Sequence, residues 1–274
     1  MKQRVITALL ITPLAIAMIL LLPSTIYAFV IAGLCLLATW EWTRMAGMRS
    51  RPLRAVLLAV CALALLLLWD CADAVAGWIA IVTGCVWWLF ALAWLRHFSW
   101  GAAPTRENIT IKLIAGALVI LPAWTAMMQL HRSQDSPHAW HTWALYALVL
   151  VWAADTFAYL AGRRWGKTKL APNISPGKTI AGVYGALAGS ALVALIGGWL
   201  LQVRGASLAG LLVLALIVVV FSIIGDLFES LIKRHGNVKD SGTLFPGHGG
   251  VCDRLDGIFA ALPFFAVGKF LLGL

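Results

Sequence analysis

The residues best suited to chemistry lie in one short connection near the end of the chain, between two apolar stretches. Residues 239–256 read KDSGTLFPGHGGVCDRLD, with three aspartates, one histidine and four glycines. Two more carboxylates, Asp226 and Glu229, stand in the apolar stretch that leads to it. Carboxylate oxygens are ligands for Mg²⁺, usually together with substrate phosphates, and the basic residues between them suit phosphate oxygens.

Helical spacing brings these polar residues onto common faces. The segment IIGDLFESLIKR places four of them at positions i, i+3, i+4 and i+7, on one face of a helix that continues past the apolar stretch. They are Asp226, Glu229, Ser230 and Lys233. Asp253 and Asp256 repeat the i, i+3 spacing where the last apolar stretch begins. A solvated network of ion pairs is the alternative, but two carboxylate-bearing helix ends joined by a glycine-rich loop favour a metal site.

A second polar segment, GRRWGKTKLAPNISPGKTIAG, covers residues 162–182. Its GKT is not a nucleotide P-loop, because Pro172 stands where the pattern G-x-x-x-x-G-K-[ST] requires glycine. The segment offers five basic residues and the hydroxyls of Ser175 and Thr179 just before an apolar stretch, which suits phosphate at a helix N-terminus. A basic loop that only fixes the topology is the alternative. The chemistry favours phosphate binding.

An apolar scaffold must position these segments. Of the 274 residues, 62% are hydrophobic and 12% charged, against about a quarter charged in soluble domains. A membrane-spanning helix needs about 20 apolar residues. Nine such stretches lie near 5–22, 25–40, 53–69, 74–95, 113–130, 142–162, 180–201, 207–226 and 257–273. The sequence predicts an all-α integral membrane protein, a polytopic helical bundle of about nine transmembrane helices. Eight spans are the alternative, because the second and third stretches are short.

The distribution of lysine and arginine predicts the orientation, because basic residues concentrate in cytoplasmic loops. With a cytoplasmic N-terminus, 18 of the 21 basic residues fall on the cytoplasmic side. The net charge of +10 then meets anionic lipid head groups and soluble anions such as nucleotides. We expect residues 1–141 to form the N-terminal transmembrane helices. Residues 142–274 would form a catalytic region with cytoplasmic polar loops at 163–179 and 227–256.

Polar and aromatic residues within the apolar stretches carry two further expectations. Asp155 interrupts LVLVWAADTFAYLAG, and a charge inside the bilayer costs on the order of 3 kcal/mol. It should therefore face the bundle interior or a wet cavity, or pair with a neighbouring helix. Many of the 14 tryptophans lie near the ends of apolar stretches, as in an interfacial belt.

Residues 230–256, SLIKRHGNVKDSGTLFPGHGGVCDRLD, resemble the signature of phosphatidate cytidylyltransferases, also called CDP-diacylglycerol synthases. The matching elements are Ser230, Lys233, Arg234, Lys239, Asp240, His248 to Gly250, Asp253, Arg254 and Asp256. The segments DTFAYLAGR and LAPNISPGKT also resemble the family, so the similarity covers roughly the C-terminal half. One departure is Ile180-Ala181-Gly182, where the family usually has an aromatic or aliphatic residue, then Glu or Gln, then Gly.

The resemblance implies that CTP and phosphatidic acid react to give CDP-diacylglycerol and pyrophosphate. Both substrates are anionic, and a pair of unit charges about 4 Å apart repels by about 4 kcal/mol at an effective dielectric constant of about 20. Cations are therefore required at the site. We therefore expect Mg²⁺ as the cofactor, with Asp226 and Asp253 as the metal ligands. Asp256 and Asp240 would be further ligands or orienting groups.

Other residues of the two polar segments are expected to act on the substrates. The groups that would neutralise phosphoryl charge are Lys233, Arg234, Lys239 and Arg254. The groups that would bind substrate are Ser175, Lys178, Thr179 and Ser230. His248 would donate to a phosphate oxygen or cap a helix, and the neighbouring glycines would let the backbone approach the phosphates. A strong general base is not required, because the lipid phosphate is already an anion near neutral pH.

The expected partners are CTP, phosphatidic acid and membrane lipid, with no nucleic acid; a homodimer is an open alternative. The resemblance implies a bacterial inner membrane and an active site that faces the cytoplasm. Another CTP-dependent lipid-modifying enzyme, such as a lipid or polyprenol kinase, would share much of this chemistry. An anion transporter is a further alternative, since Asp155 and basic loops suit one, but the polar motifs stand in the C-terminal half without a repeat in the other half.

Overall fold

The computed structural model describes residues 2–132, 141–244 and 249–274, with side chains from residue 12 onward. This part of the chain forms nine helices and one short hairpin. The helices are α1 (Lys2–Leu21), α2 (Ser24–Met45), α3 (Arg51–Cys71), α4 (Val75–Arg96), α5 (Arg106–Arg132), α6 (Thr142–Trp165), α7 (Ile180–Leu200), α8 (Ala206–His235) and α9 (Cys252–Leu271). The strands are β1 (Lys169–Ala171) and β2 (Ser175–Thr179).

Seven of these helices, α2 to α8, are long and apolar enough to cross a membrane. The described apolar part of α1, Thr12–Leu21, is shorter. Helix α9 has 20 residues but carries charged residues at both ends, including Asp253 and Lys269. The expectation of an all-helical membrane protein is confirmed, with nine helices in the described residues and seven of them meeting the criteria for a span.

The polar segment before α7 is more ordered than the sequence indicated. Strands β1 and β2 pair antiparallel, with Lys169 opposite Thr179 and Ala171 opposite Ser175. Thr179 then adopts an extended backbone, and its hydroxyl oxygen accepts the N–H of Gly182 at 3.2 Å, which caps α7. The segment expected as a flexible loop is therefore a hairpin joined directly to a capped helix.

Several tryptophans form part of the core, although the sequence suggested an interfacial belt. The ring of Phe228 on α8 is surrounded by four indole rings, with centroids 5.6–6.2 Å away. They belong to Trp42, Trp87, Trp88 and Trp94. Phe228 lies in the C-terminal part of α8. The aromatic cluster therefore fixes this end of α8 against α2 and α4.

Helices α8 and α9 approach closely through two glycines. A Cβ atom on Gly225 would lie 2.5 Å from the backbone oxygen of Asp256, and one on Gly257 would lie 2.5 Å from the hydroxyl of Ser222. Small residues allow such close contact between membrane helices. Because Gly225 precedes Asp226 directly, this contact sets how near the carboxylates of the two helices come to each other.

We therefore expect Gly225→Ala to destabilise the protein. The added methyl group would force α8 and α9 apart, and overpacking of this kind costs about 1–3 kcal/mol. Gly33→Ala on α2 is the matched control, because nothing lies within 4 Å of a Cβ atom there. Helix propensity alone favours alanine by up to about 1 kcal/mol at both positions. Thermal unfolding in detergent measures the effect, and equal melting temperatures for the two variants would contradict this packing argument.

Candidate active site

A polar cavity of about 540 Å³ lies between α6, the hairpin, α7, α8 and α9. Its walls contain both carboxylates and basic groups. The acidic residues are Asp155, Asp226, Asp253 and Asp256, and the basic residues are Arg163, Lys169, Lys178 and Arg254. The cavity thus unites the two polar segments that the sequence singled out, 162–182 and the region around 226–256.

Asp226 on α8 faces this cavity and is oriented by two contacts. The ammonium of Lys178, from strand β2, lies 2.7 Å from its Oδ2 atom. The hydroxyl of Ser230, one turn further along α8, donates to its Oδ1 atom at 3.4 Å. The side chain of Asp226 keeps 36% of its surface exposed. The helical spacing predicted from the sequence is confirmed here, because Ser230 and Asp226 do share one face of α8.

Asp253, at the start of α9, is held by hydrogen bonds on both carboxylate oxygens. Lys233 donates to Oδ1 at 2.6 Å, and the backbone N–H groups of Ser241 and Gly250 donate to Oδ2 at 2.8 Å each. Burial by itself would raise the pKa of Asp253, but the hydrogen bonds from Lys233 and Gly250 outweigh it, so the pKa lies below its ordinary value. The group is therefore ionised and fixed in direction.

Two glycines of the signature lie directly against carboxylates of the protein. Gly249 has φ +83°, and a Cβ atom on it would lie 2.3 Å from Oδ2 of Asp253. A Cβ atom on Gly250 would lie 2.3 Å from both carboxylate oxygens of Glu41. The sequence analysis expected these glycines to let the backbone approach phosphates. In the structure they let it approach two carboxylates of the protein itself.

Glu41 on α2 is the main residue that the sequence analysis missed. Its carboxylate accepts the backbone N–H groups of Val251 at 3.0 Å and Cys252 at 2.9 Å, at the beginning of α9. These are among the helix-end donors that need an external partner, and the negative charge also suits the helix dipole. The local signal was present in LATWEWTRM, where one carboxylate interrupts an apolar stretch, but nothing nearby identified its partner.

Ser241 lies between the carboxylates of Glu41 and Asp253. Its hydroxyl oxygen is 2.7 Å from Oε2 of Glu41 and 2.8 Å from Oδ2 of Asp253. A hydroxyl has one proton to donate, so it bonds one carboxylate at a time. Arg44, one turn from Glu41, donates to the backbone oxygen of Ser241 at 2.5 Å. Helix α2 therefore holds the connection before α9 from two sides.

Lys233 joins two acidic groups and does not line the cavity among the described residues. Its ammonium lies 2.6 Å from Glu229 and 2.6 Å from Asp253. The three side chains are 11%, 3% and 7% exposed, respectively. The ammonium of Lys233, held between two carboxylates, fixes the position of Asp253. The placement of Lys233 therefore indicates a structural role and not contact with phosphate.

Arg254 and Asp256 lie one and three residues after Asp253 at the start of α9, and both line the cavity. The side chain of Arg254 is exposed and has no hydrogen bond or ion pair within the described ranges. Asp256 precedes the predicted span 257–273, and burial and the neighbouring charge of Asp226 raise its pKa well above the ordinary value. The guanidinium of Arg254 therefore lies in the cavity beside the carboxylates of Asp226 and Asp256. A further cation would relieve the repulsion between these two carboxylates.

Five further residues that the sequence analysis predicted for the site are not part of the described cavity wall. Ser175 lies in β2, and Arg234 donates from Nε to the backbone oxygen of Ile174 at 3.1 Å, which attaches the end of α8 to the hairpin. Lys239 and Asp240 are exposed on the connection after α8. None of these four side chains lines the cavity in the described structure. His248 lies outside the described residues.

The donor chemistry of the cavity fits a hard cation. The described residues contain no group of three or more His, Cys, Asp or Glu side chains that would enclose a metal by themselves. Mg²⁺ does not need such an enclosure, because it typically takes one or two carboxylates together with substrate phosphates. Asp226 already attracts one cation, the ammonium of Lys178. The residues present therefore fit Mg²⁺ bound jointly by protein and substrate.

We expect Lys233→Met to destabilise the protein strongly, because two buried carboxylates would lose their shared cation. Breaking a buried ion pair on one side costs about 3–5 kcal/mol. Lys239→Met is the matched control, since Lys239 is exposed. Addition of Glu229→Gln to Lys233→Met should restore part of the loss by removing one unpaired charge. Thermal unfolding in detergent tests this, and a Lys233→Met protein as stable as the control would overturn the proposed network.

Comparison with known proteins adds evidence of ancestry. The model of the cytidylyltransferase family matches residues 2–271. A phosphatidate cytidylyltransferase of Pseudomonas aeruginosa is 40% identical over 271 residues, which cover 97% of this chain and 96% of that protein. One of Haemophilus influenzae is 32% identical over 99% of both chains. One of Bacillus subtilis is 42% identical over 123 residues, 45% of each. Two of these similarities extend through the N-terminal half, where the sequence analysis found only apolar stretches.

Proposed function

Because the chain belongs to the cytidylyltransferase family, we propose that it transfers CMP from CTP to phosphatidic acid and releases pyrophosphate. The relatives of similar length carry the name phosphatidate cytidylyltransferase. The observation that carries the proposal is the polar cavity, which sets Lys178 and Arg254 beside Asp226 and Asp256. Such a site suits a reaction between two polyanionic substrates.

The cations of the cavity would bring the two phosphates together. Arg254 has a guanidinium group without an ion-pair partner among the described residues, and its planar donors suit phosphate oxygens. Lys178 lines the cavity next to Asp226, so its ammonium can bond a phosphate there while it stays near that carboxylate. Lys169 on β1 adds a further positive charge to the wall. Together they would offset the repulsion that opposes the encounter.

The reaction itself needs little proton transfer from the protein. An oxygen of the lipid phosphate attacks the α-phosphorus of CTP, a new O–P bond forms, and the bond to pyrophosphate breaks. The attacking oxygen is already anionic near neutral pH, which agrees with a cavity that contains carboxylates and cations but no histidine among its described lining residues. The contribution of the protein would be to position the phosphates and stabilise charge.

We propose that Asp226 and Asp253 hold Mg²⁺, with Asp256 as a further ligand or orienting group. When bound, the ion would neutralise the triphosphate and favour departure of pyrophosphate. Asp226 suits this role because it faces the cavity and is partly exposed. Asp253 lines the same cavity, and its hydrogen bonds hold its carboxylate ionised. The roles of Ser175, Arg234, Lys239, Asp240 and His248 in the reaction stay predictions.

We further propose that the cavity opens to the cytoplasm of a bacterial cell and that the chain lies in the inner membrane. The relatives come from bacteria. With a cytoplasmic N-terminus, 18 of the 21 basic residues lie on the side of the cavity, where CTP is available. The lipid substrate would reach the site from the surrounding bilayer.

The purified protein in mixed micelles with phosphatidic acid should incorporate labelled CMP from CTP into lipid. The expected products are CDP-diacylglycerol and an equal amount of pyrophosphate, and omission of Mg²⁺ should abolish both. Transfer of the γ-phosphate instead of CMP would identify a lipid kinase. A folded protein that binds CTP but forms neither lipid product would refute the proposed transfer.

Asp226→Asn should lower turnover by about 100-fold or more, because it removes a charge that acts on the reacting phosphates. The fold should persist, since Asp226 is partly exposed and asparagine keeps its shape. Asp73→Asn is the matched control: Asp73 pairs with Arg132 at 2.9 Å and does not line the polar cavity. Turnover and thermal unfolding are measured on both variants. Near-normal Mg²⁺-dependent turnover in Asp226→Asn would exclude it as the metal ligand.

A further inference from the structure

A second cavity, of about 320 Å³, meets the polar one inside the bundle. It is an apolar cleft between α1, α2, α5, α6 and α9. Asp155 and Arg254 line both cavities, so the two spaces adjoin at these side chains. The charged residues in the described walls of the cleft are these two alone. The cleft is therefore charged at one end and apolar along the rest of its length.

The apolar part of the cleft extends into the membrane-spanning region. Along α6 it continues from Asp155 to Leu148, and along α9 from Arg254 to Leu262. At about 1.5 Å per residue these distances correspond to about 10 Å and about 12 Å. Both runs lead away from the polar cavity. The cleft is thus an apolar pocket with Arg254 and Asp155 where it meets the polar cavity.

The occupant that fits this arrangement is a long apolar chain with an anionic group at one end. An acyl chain fits such a cleft through van der Waals packing, because the surrounding lipid is equally apolar and supplies little hydrophobic driving force. The exposed guanidinium of Arg254, which also interacts electrostatically with Asp155, supplies the complementary charge for a phosphate at the junction. A nucleotide fits only the polar side, since the cleft offers few groups that can bond a base or a ribose.

We propose that this cleft binds one acyl chain of the diacyl phosphate substrate, with its phosphate beside Arg254, and that residues of α2 set the chain length accepted. This inference rests on the proposed transfer of CMP to phosphatidic acid. Leu34 on α2 is half-buried and lines the cleft. Three residues further along the same helix, Leu37 is 44% exposed and does not line it.

The pair Leu34→Trp and Leu37→Trp tests the acyl site. Each enzyme is assayed with dioleoyl and with dioctanoyl phosphatidic acid, and the ratio of the two kcat/KM values is compared. Leu34→Trp should lower the ratio of long-chain to short-chain activity by about tenfold, the scale of discrimination in apolar pockets. Leu37→Trp should leave the ratio as in the wild type. An unchanged ratio in Leu34→Trp, or equal loss with both lipids, would overturn the proposal.

A crosslinking experiment on the wild-type protein tests the same site and does not depend on the stability of a variant. Phosphatidic acid with a diazirine at the end of one acyl chain is photolysed on the enzyme, and labelled peptides are identified. Label within 27–35 or 258–262 is expected, since both ranges line the cleft. Label confined to outward residues of α3 or α4 would overturn the acyl site. Wild-type enzyme that converts neither lipid would instead refute the proposed transfer reaction, so the two failures are distinguishable.

Discussion

The structure depends on how buried carboxylates at the beginning of α9 are compensated. Charges removed from water must be paired or hydrogen-bonded, because the cost of leaving them alone is several kcal/mol. Glu41 receives two backbone N–H groups at the first turn of α9, and Asp253 receives the ammonium of Lys233. Ser241 lies between the two carboxylates. This network joins α2, α8 and α9 at one point, and it fixes where α9 starts and in which direction it runs.

The position of α9 in turn determines which residues face the cavity. Successive residues in a helix differ by about 100° in direction. When Asp253 is held toward Lys233, Arg254 is directed toward the junction of the two cavities and Asp256 toward Asp226. Asp253 therefore has both a structural role, through Lys233, and a place in the wall of the cavity beside Asp226 and Asp256. The same helix turn contributes to both, so substitutions here should be judged by stability as well as by turnover.

The sequence predicted what depends on local periodicity. The helices, the shared face of Asp226 and Ser230, and the helical start at Asp253 follow from the 3.6-residue repeat and the placement of apolar stretches. The partner of Glu41 could not be predicted, because Val251 lies 210 residues further along the chain. The contact of Gly250 could not be predicted for the same reason, since it involves a carboxylate from another helix.

Other differences arise from competition between local and tertiary effects. The hairpin at 169–179 is short and contains Pro176 and Gly177, which argue against a strand, yet its ends pair and continue into a capped helix. Tryptophans near helix ends suggested contact with lipid head groups, but an aromatic cluster around Phe228 buries them. In both cases the local sequence predicted an environment from residue type alone. The environment in the structure is set by contacts with residues that the local pattern does not reveal.

The arrangement of the two cavities explains why a membrane enzyme of this kind needs a charged site within its helical bundle. A nucleotide and a lipid differ so much in polarity that a single pocket would have to accommodate both water-exposed phosphates and hydrocarbon. Among the described residues, the polar cavity and the apolar cleft share only Asp155 and Arg254. Each substrate can then remain in surroundings of its own polarity, and only the phosphates must meet. The cost of placing Asp155 among apolar residues of α6 is reduced at that junction, because it lines the polar cavity together with Lys178 and Arg254.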